Sequence, residues 1–267
     1  MSDFTHWVNI IILGLVEGLT EFLPISSTGH LIVVGYLLGE DGDGGKVFDI
    51  VIQLGAIFAV CYEFRGRLWG WARAWRSAET RQMAVNLSLA FLPSAVFGLL
   101  LYGVIKEYLF SPQTVAVALI IGGLIILWVE RVPRPARLTA ISDLRARDAV
   151  VIGLCQTLSL FPGVSRAGAT IIGAMWWGVE RRAATEFSFL LALPTMFAAS
   201  GYALLDSRDL LSWDLAGDIA LGFAVSFVSA LLVIRLFIRY VSRHNFTPFG
   251  WYRIIFGLVV LGIFYSA

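Results

Sequence analysis

Two apolar stretches of this chain break in the middle on a proline and a run of polar residues. The first, residues 7–23, is apolar as far as Val16 and then carries Glu17, Thr20 and Glu21. Pro24 and the polar run Ser26-Ser27-Thr28-Gly29-His30 follow, and a short apolar piece, 31–38, ends at the acidic run 40–45. The second, 149–161, leads into Pro162-Gly163 and Ser165-Arg166, and a short apolar piece, 171–179, ends at Glu180-Arg181-Arg182. Neither arm reaches the ~20 apolar residues that a helix needs to cross a bilayer. A kink of this kind frees backbone N–H and C=O groups that lipid cannot satisfy, so it must be buried in protein or line a cavity. Both stretches are therefore expected to be re-entrant helical hairpins.

The rest of the chain is built for the same solvent. Its 267 residues are 58% hydrophobic and 15% charged, and the mean hydropathy is +0.79. Soluble domains carry about a quarter charged residues, so a soluble enzyme, a disordered chain and a disulfide scaffold are all excluded. A net charge of +1 gives no reason to expect nucleic acid as a partner. Cys61 and Cys155 lie in apolar runs without metal-site spacing. The start of the chain lacks a basic segment and a small-residue cleavage site, so no removable signal peptide is expected. Helical spans are expected at about 47–64, 84–105, 113–130, 184–205, 215–238 and 250–266. Strand-length alternation is absent, which excludes a β-barrel.

The two broken stretches align with each other. Gly14-Leu15-Val16-Glu17 lies over Gly153-Leu154-Cys155-Gln156, Leu19-Thr20 over Leu158-Ser159, and Phe22 over Phe161. After a one-residue gap Pro24 lies over Pro162 and Ser27 over Ser165, and Phe48 then lies over Phe187. The expected fold is an all-α polytopic membrane protein, one integral membrane domain of two repeats, 1–130 and 131–267. Each repeat would be a hairpin plus about three transmembrane helices. Arginine orients them. The 65–81 and 131–148 segments carry five Arg each, Arg181 and Arg182 follow the second hairpin, and Arg235, Arg239, Arg243 and Arg253 surround the 239–253 loop. With these segments cytoplasmic, both termini lie outside and the two halves are inverted, their kinks meeting near the midplane as in inverted-repeat transporters.

The polar residues concentrate at those kinks. Glu17 and Glu21, four apart, share a helix face. Two carboxylates at membrane depth are paired, share a proton or hold a divalent cation; the other reading is a helix end in headgroup water. Ser26, Ser27 and Thr28 begin the first return helix, where one hydroxyl serves as a cap. Three hydroxyls plus His30 exceed what a cap needs, and a helix N-terminus is a ready anion site. Arg166 starts the second return helix and is read as the one Arg at a hairpin tip rather than a membrane surface. Its fork matches phosphate geometry, although an internal Arg–Glu pair also accounts for it. Thr170 lies one turn on, and Gly163 and Gly168 would admit close backbone approach. Trp69, Trp71 and Trp75, interleaved with Arg65, Arg67, Arg73 and Arg76, read as an interfacial belt. The natural ligand of the kinks is a phosphate or diphosphate attached to something lipid-soluble.

At residues 17–30, EGLTEFLPISSTGH, and 162–170, PGVSRAGAT, the chain closely resembles the two signature motifs of the undecaprenyl-diphosphate phosphatase family, the bacitracin-resistance membrane phosphatases. The second motif carries Ala167 where the family usually has Ser, while Ser165, Arg166 and Thr170 match. The VFDIVIQLGAIFAV stretch at 47–60 also resembles the family, with Gln53 at a polar position. The resemblance implies hydrolysis of a polyprenyl diphosphate carrier to the monophosphate and inorganic phosphate in the bacterial inner membrane. It implies recycling of that carrier for peptidoglycan synthesis, bacitracin resistance, a divalent cation (magnesium or calcium) and an active site open to the periplasm.

For that chemistry Glu17, Glu21, Ser27, His30 and Arg166 are the candidate catalytic residues. Ser26, Thr28, Ser165, Arg166 and Thr170 are candidates for the phosphate oxygens, Glu17 and Glu21 for the cation, and Gln53 and Gln156 for support. Ser27 is the candidate nucleophile with His30 or Glu21 as base; direct attack by His30, or by a metal-activated water, is the alternative. The expected partners are the lipid substrate and the bilayer, and self-association is left open. A transporter or flippase for a phosphorylated lipid is the second class, since broken helices in inverted repeats are the transporter pattern. The acid-phosphatase-like lipid phosphatases are a poorer match, because after Arg166 the only His is His244.

Overall fold

The computed structural model describes residues 3–39, 43–109, 111–132, 134–207 and 216–265. Among these, every regular element is helical: α1 (Asp3–Thr20), α2 (Ser27–Leu38), α3 (Asp43–Glu63), α4 (Arg65–Arg73), α5 (Ala78–Val104), α6 (Pro112–Arg131), α7 (Ala146–Thr157), α8 (Arg166–Trp177), α9 (Arg181–Asp206), α10 (Ala216–Val241) and α11 (Thr247–Tyr265). Five helices, α5, α6, α9, α10 and α11, are long and apolar enough to cross a membrane. The protein is thus a polytopic membrane protein, and α3, with 21 residues, lies where a further span is expected.

Both broken stretches fold as helix–turn–helix units. α2, α7 and α8 have 12 residues each, about 18 Å of helix at 1.5 Å per residue, well short of a ~30 Å hydrocarbon core. The first unit turns through residues 21–26, where the Ile25 amide donates to Leu23 O at 2.8 Å. The second turns through a 3-10 segment, Leu158–Leu160, and the amide of Val164 donates to Phe161 O at 3.2 Å.

The units share their end geometry residue for residue. Ser26 precedes α2 with φ 70°, Ser165 precedes α8 with φ 72°, and these are the two non-glycine residues with positive φ among the described residues. Gly39 closes α2 and Gly178 closes α8, both left-handed. The spacing between these pairs is the spacing between Gly14 and Gly153, so no gap is needed. The alignment of Ser27 with Ser165 is therefore corrected by one residue: Ser26 matches Ser165, Ser27 matches Arg166 and Pro24 matches Gly163. Proline invites a match to proline, but the cap geometry sets the register.

The helices close on small residues, as lipid-embedded helices do when backbones must approach closely. α1 packs on α10 and α7 on α5. A Cβ on Gly14 would lie 2.9 Å from Gly222 O, and one on Gly153 would lie 2.6 Å from Ala90 O. α6 and α11 meet at Gly123, where a Cβ would lie 2.6 Å from Gly250 O. One large core joins Phe22, Ile57, Ile171, Phe187, Phe189 and Phe237, with Phe22 edge-on to Phe189 at 5.3 Å between centroids.

The Arg-rich segments gather together. Arg67 pairs with Glu186 at 3.0 Å, Arg181 with Glu130 at 2.8 Å, and Glu130 also accepts from the Phe246 amide at 2.7 Å. Asp148, fully buried, accepts from Arg137 Nη2 at 3.0 Å, Trp177 Nε1 at 2.8 Å and the Arg145 amide at 3.0 Å. It ties the linker ahead of α7 to the end of α8. Arg253 is the exception, buried within α11, and the assignment of that residue to a surface loop is overturned.

Gly153→Ala drives a methyl into the α5 backbone and is expected to cost about 1–3 kcal/mol through overpacking. A Cβ at Gly201 meets nothing within 4 Å, so Gly201→Ala leaves stability intact. Thermal unfolding of the two variants in one detergent checks this: a midpoint that falls for Gly153→Ala alone is the expected result.

Candidate active site at two facing turns

The turns bring together three of the expected residues from three different helix ends. Glu21, in the first turn, accepts from Ser27 Oγ at 2.5 Å through Oε2 and from Arg166 Nη2 at 3.0 Å through Oε1. The chain folds this way locally because Thr20 ends α1, its hydroxyl bonded back to Val16 O at 2.7 Å, and seven residues later Ser27 opens α2. Glu21 and Ser27 thereby face each other across one turn, while Arg166 arrives as the first residue of α8.

Arg166 is held on several sides. Its Nη1 donates to Ser188 O at 3.2 Å, its guanidinium carbon lies 5.3 Å from the centre of the Phe22 ring, and Met196 Sδ lies 3.2 Å from Nη2. Its side chain is 9% exposed and that of Glu21 8%, so the pair is a buried one. Arg166 Nε is buried and has no hydrogen-bond partner. Thr170 Oγ1 donates to Arg166 O at 2.9 Å and lies 2.6 Å from Ser188 Oγ, which packs α8 on α9.

Glu17 sits one turn before Glu21 and is 1% exposed. It lies within electrostatic range of Glu21, Asp49 and Arg166, and its Oε1 has no partner. A buried carboxylate oxygen left open is a hard donor of the kind magnesium and calcium take. No group of three or more His, Cys, Asp or Glu side chains converges to hold a metal among the described residues. Glu17 and Glu21 are the carboxylates here that could hold such an ion.

The remaining expected residues divide. Ser165 Oγ accepts from the Gly168 amide at 3.0 Å and donates to Leu23 O at 3.4 Å, so it caps α8 and touches the first turn. Ser26 makes no side-chain cap bond at α2. Thr28 is half-buried in the first turn of α2. His30 does not face Ser27: its Nδ1–H donates to Ser26 O at 2.7 Å and its Nε2 lies 2.6 Å from Tyr252 Oη, with the ring stacked 4.2 Å from Phe256. Gln53 accepts from Ser200 at 3.0 Å. Gln156, which matches Glu17 in the repeat, is fully satisfied by donating to Ser94 Oγ at 2.7 Å and accepting from Thr195 Oγ1 at 3.3 Å. Neither glutamine reaches the three-residue cluster by a hydrogen bond.

A model of the family described as bacitracin resistance protein BacA matches residues 10–259, which takes in both turns and every residue named above. The chain belongs to the BacA family. Its relatives agree over their whole length. It is 53% identical to an undecaprenyl-diphosphatase of Nitrosospira multiformis, over 96% of this chain and 94% of the relative. It is 53% identical to an undecaprenyl-diphosphatase 2 of Rhodospirillum rubrum, over 99% and 97%. It is 52% identical to an undecaprenyl-diphosphatase of Methylococcus capsulatus, over 96% and 94%.

The sequence reading of this family member missed two residues at the turns, both on α11. Tyr252 holds His30, and Arg253 donates to carbonyl oxygens of both turns. The usable signal for Arg253 is its position well inside an apolar helix rather than at its end.

Glu21→Ala leaves the Arg166 charge buried without its carboxylate, which is expected to cost about 3–5 kcal/mol. The double variant Glu21→Ala/Arg166→Met removes both charges and is expected to cost less than Glu21→Ala alone. Unfolding midpoints of the two variants against wild type, in one detergent, give the comparison.

Proposed function

We propose that this protein is an integral membrane phosphatase that hydrolyses undecaprenyl diphosphate to the monophosphate and inorganic phosphate. The observation that carries the proposal is the buried Glu21–Ser27–Arg166 cluster: a carboxylate, a hydroxyl and a guanidinium converge where two broken helices meet. The relatives named for this activity support it. In the same reading the enzyme lies in the bacterial inner membrane and recycles the lipid carrier for cell-wall synthesis, which is how it would confer bacitracin resistance. The halves 1–130 and 131–267 are inverted repeats, both termini are outside, and the site opens to the periplasm. The recurring cap geometry and the gathering of Arg-rich segments support that arrangement.

Diphosphate hydrolysis needs charge neutralisation, an aligned nucleophile and a stabilised leaving group. Arg166 offers the phosphate a planar fork, and its Nε is unpaired. The phosphate takes the place of Glu21 on Nη2, which leaves the Glu21 carboxylate facing the Ser27 hydroxyl alone. Glu21 already accepts from Ser27 Oγ, so it receives the proton as that oxygen attacks the distal phosphorus. The bond from the distal phosphorus to the bridging oxygen breaks, and undecaprenyl monophosphate leaves with the electron pair. Water then hydrolyses the phosphoserine to inorganic phosphate. Both nitrogens of His30 are engaged away from Ser27, and we assign it to holding Ser26 O. The N-terminal amides of α2 face the phosphates. Ser26 and Thr28 would add hydroxyls there, and Ser165 and Thr170 keep the start of α8 in place.

Glu17, whose Oε1 is open, would hold a magnesium or calcium ion, with Glu21 beside it until that carboxylate takes the Ser27 proton. The ion supplies charge neutralisation of the diphosphate. The ion is motivated by charge as well as by Glu17 Oε1: the carboxylates of Glu17, Glu21 and Asp49 outnumber the guanidinium groups of Arg166 and Arg253, so a multiply charged anion needs a further cation.

Phosphate release from a polyprenyl diphosphate by purified wild type, Glu21→Gln and Arg166→Ala, with and without a chelator, tests the reading. Wild type is expected to release phosphate and to lose activity on chelation. Each variant is expected to lose about 10²-fold or more, the scale of removing one preorganised electrostatic group. Equal release by all three moves the chemistry elsewhere. A phospho-enzyme labelled on His30 overturns Ser27 as nucleophile. Folded wild type that moves the lipid across a vesicle membrane without releasing phosphate replaces the phosphatase with a flippase.

A further inference from the structure

Arg253 is 1% exposed and has carbonyl oxygens, not carboxylates, as its partners. Its Nε donates to Leu119 O at 3.3 Å. Its Nη1 donates to Pro24 O at 3.2 Å and Val164 O at 2.9 Å. Its Nη2 donates to Ala118 O at 3.1 Å and Gly163 O at 3.0 Å. A guanidinium has five N–H groups in one rigid plane, and all five are used. Pro24 belongs to the first turn, Gly163 and Val164 to the second, and Ala118 and Leu119 to the middle of α6.

These carbonyls stand next to the two strained caps. Val164 directly precedes Ser165, and Pro24 lies two residues before Ser26. Both serines hold positive φ, a conformation that costs a non-glycine residue roughly 1–3 kcal/mol and persists only when its surroundings impose it. Each cap is followed at once by a residue of the site, Ser27 after Ser26 and Arg166 after Ser165. The first turn of α8 is also closed on the guanidinium, since a Cβ on Gly168 would come within 3.1 Å of Arg253 Nη1.

We propose that Arg253 is a positioning residue for the phosphatase reaction: by pinning Pro24 O on one turn and Gly163 O and Val164 O on the other, it fixes the two turns in register so that Ser27 and Arg166 reach Glu21 together. The proposal rests on the phosphatase reading. Arg253 itself makes no hydrogen bond to the Glu21, Ser27 or Arg166 side chains, so its influence runs through the backbone. A lysine in its place keeps the charge but offers three donors from one point instead of a planar fork, and it cannot span all of these carbonyls.

The test uses full-length Arg253→Lys and Arg253→Met in detergent. Phosphate release from a polyprenyl diphosphate gives kcat and KM, and hydrogen exchange by mass spectrometry is read on residues 21–28 and 158–168. Misplacement of a reacting group by an ångström or so costs on the order of 10²-fold. Arg253→Lys is expected to lower kcat at least about tenfold with KM changed less than about threefold, and to speed exchange in both turns while α5 and α10 exchange as in wild type. Arg253→Met is expected to go further the same way; if it does not fold, Arg253→Lys decides alone. Wild-type kcat in Arg253→Lys, a rise in KM alone, or faster exchange spread evenly over the chain overturns the proposal. A wild type that releases no phosphate, with the exchange change still confined to the two turns, removes the phosphatase reading and leaves the pin standing.

Discussion

Five carbonyl oxygens from three elements converge on the guanidinium of Arg253, and the rest of the site depends on that convergence. A helix broken within a bilayer exposes backbone groups with no partner in lipid, at several kcal/mol each. Two such breaks placed face to face can satisfy their carbonyls only with donors. A single side chain with five N–H groups, arriving from a third helix, answers both breaks at once. The arrangement also places a cation beneath two helix N-termini, which are positive ends themselves. Both features favour an anion, in keeping with the proposed substrate.

The two helix–turn–helix units share their end geometry but not their side-chain chemistry. Ser26 and Ser165 have the same backbone conformation, and Gly39 and Gly178 the same termination. Yet the residue after the cap is Ser27 in one half and Arg166 in the other, and Glu17 is matched by Gln156 and Glu21 by Leu160. The meeting of the two turns brings two positive helix ends to one place. Asymmetric side chains then divide the labour, with acidic and hydroxyl groups from the first turn and the fixed cation from the second. The contrast between Glu17 and Gln156 makes the division visible. The glutamine finds Ser94 and Thr195, whereas the glutamate keeps an oxygen buried and unpartnered.

The hairpins were legible because a break in hydropathy at half a membrane's thickness has few physical solutions. Glu21, Ser27 and Arg166 were legible because ionisable and hydroxyl groups at such a break need partners, and the nearest candidates were one another. Arg253 was not legible. It follows Arg235, Arg239 and Arg243 in the chain, and counting positive charges near helix ends treats all four alike, although Arg235 pairs with Glu63 at 2.6 Å and is largely exposed while Arg253 is buried. Its partners are backbone carbonyls, which leave no mark in a sequence. The partners of His30, Ser26 O and Tyr252 Oη, are hidden in the sequence for a related reason. A side chain four residues from its own carbonyl acceptor and stacked on α11 cannot be told from a free base by composition. The repeat register slipped by one because proline matched proline, whereas the constraint lay in the φ of the following serine.

Glu21, Ser27 and Arg166 are bonded to one another, and in the proposed reaction a phosphate must undo that bonding. Glu21 takes donors from both Ser27 and Arg166, so each of the three groups satisfies the others. Burial without such pairing would be prohibitive for the carboxylate or the guanidinium. In the proposed reaction an arriving phosphate offers Arg166 a second acceptor and takes the place of Glu21 on Nη2, leaving Glu21 to face the Ser27 hydroxyl alone. Recognition and activation would be coupled through that one shared carboxylate, and the coupling holds only while the two turns are kept within hydrogen-bond reach of each other.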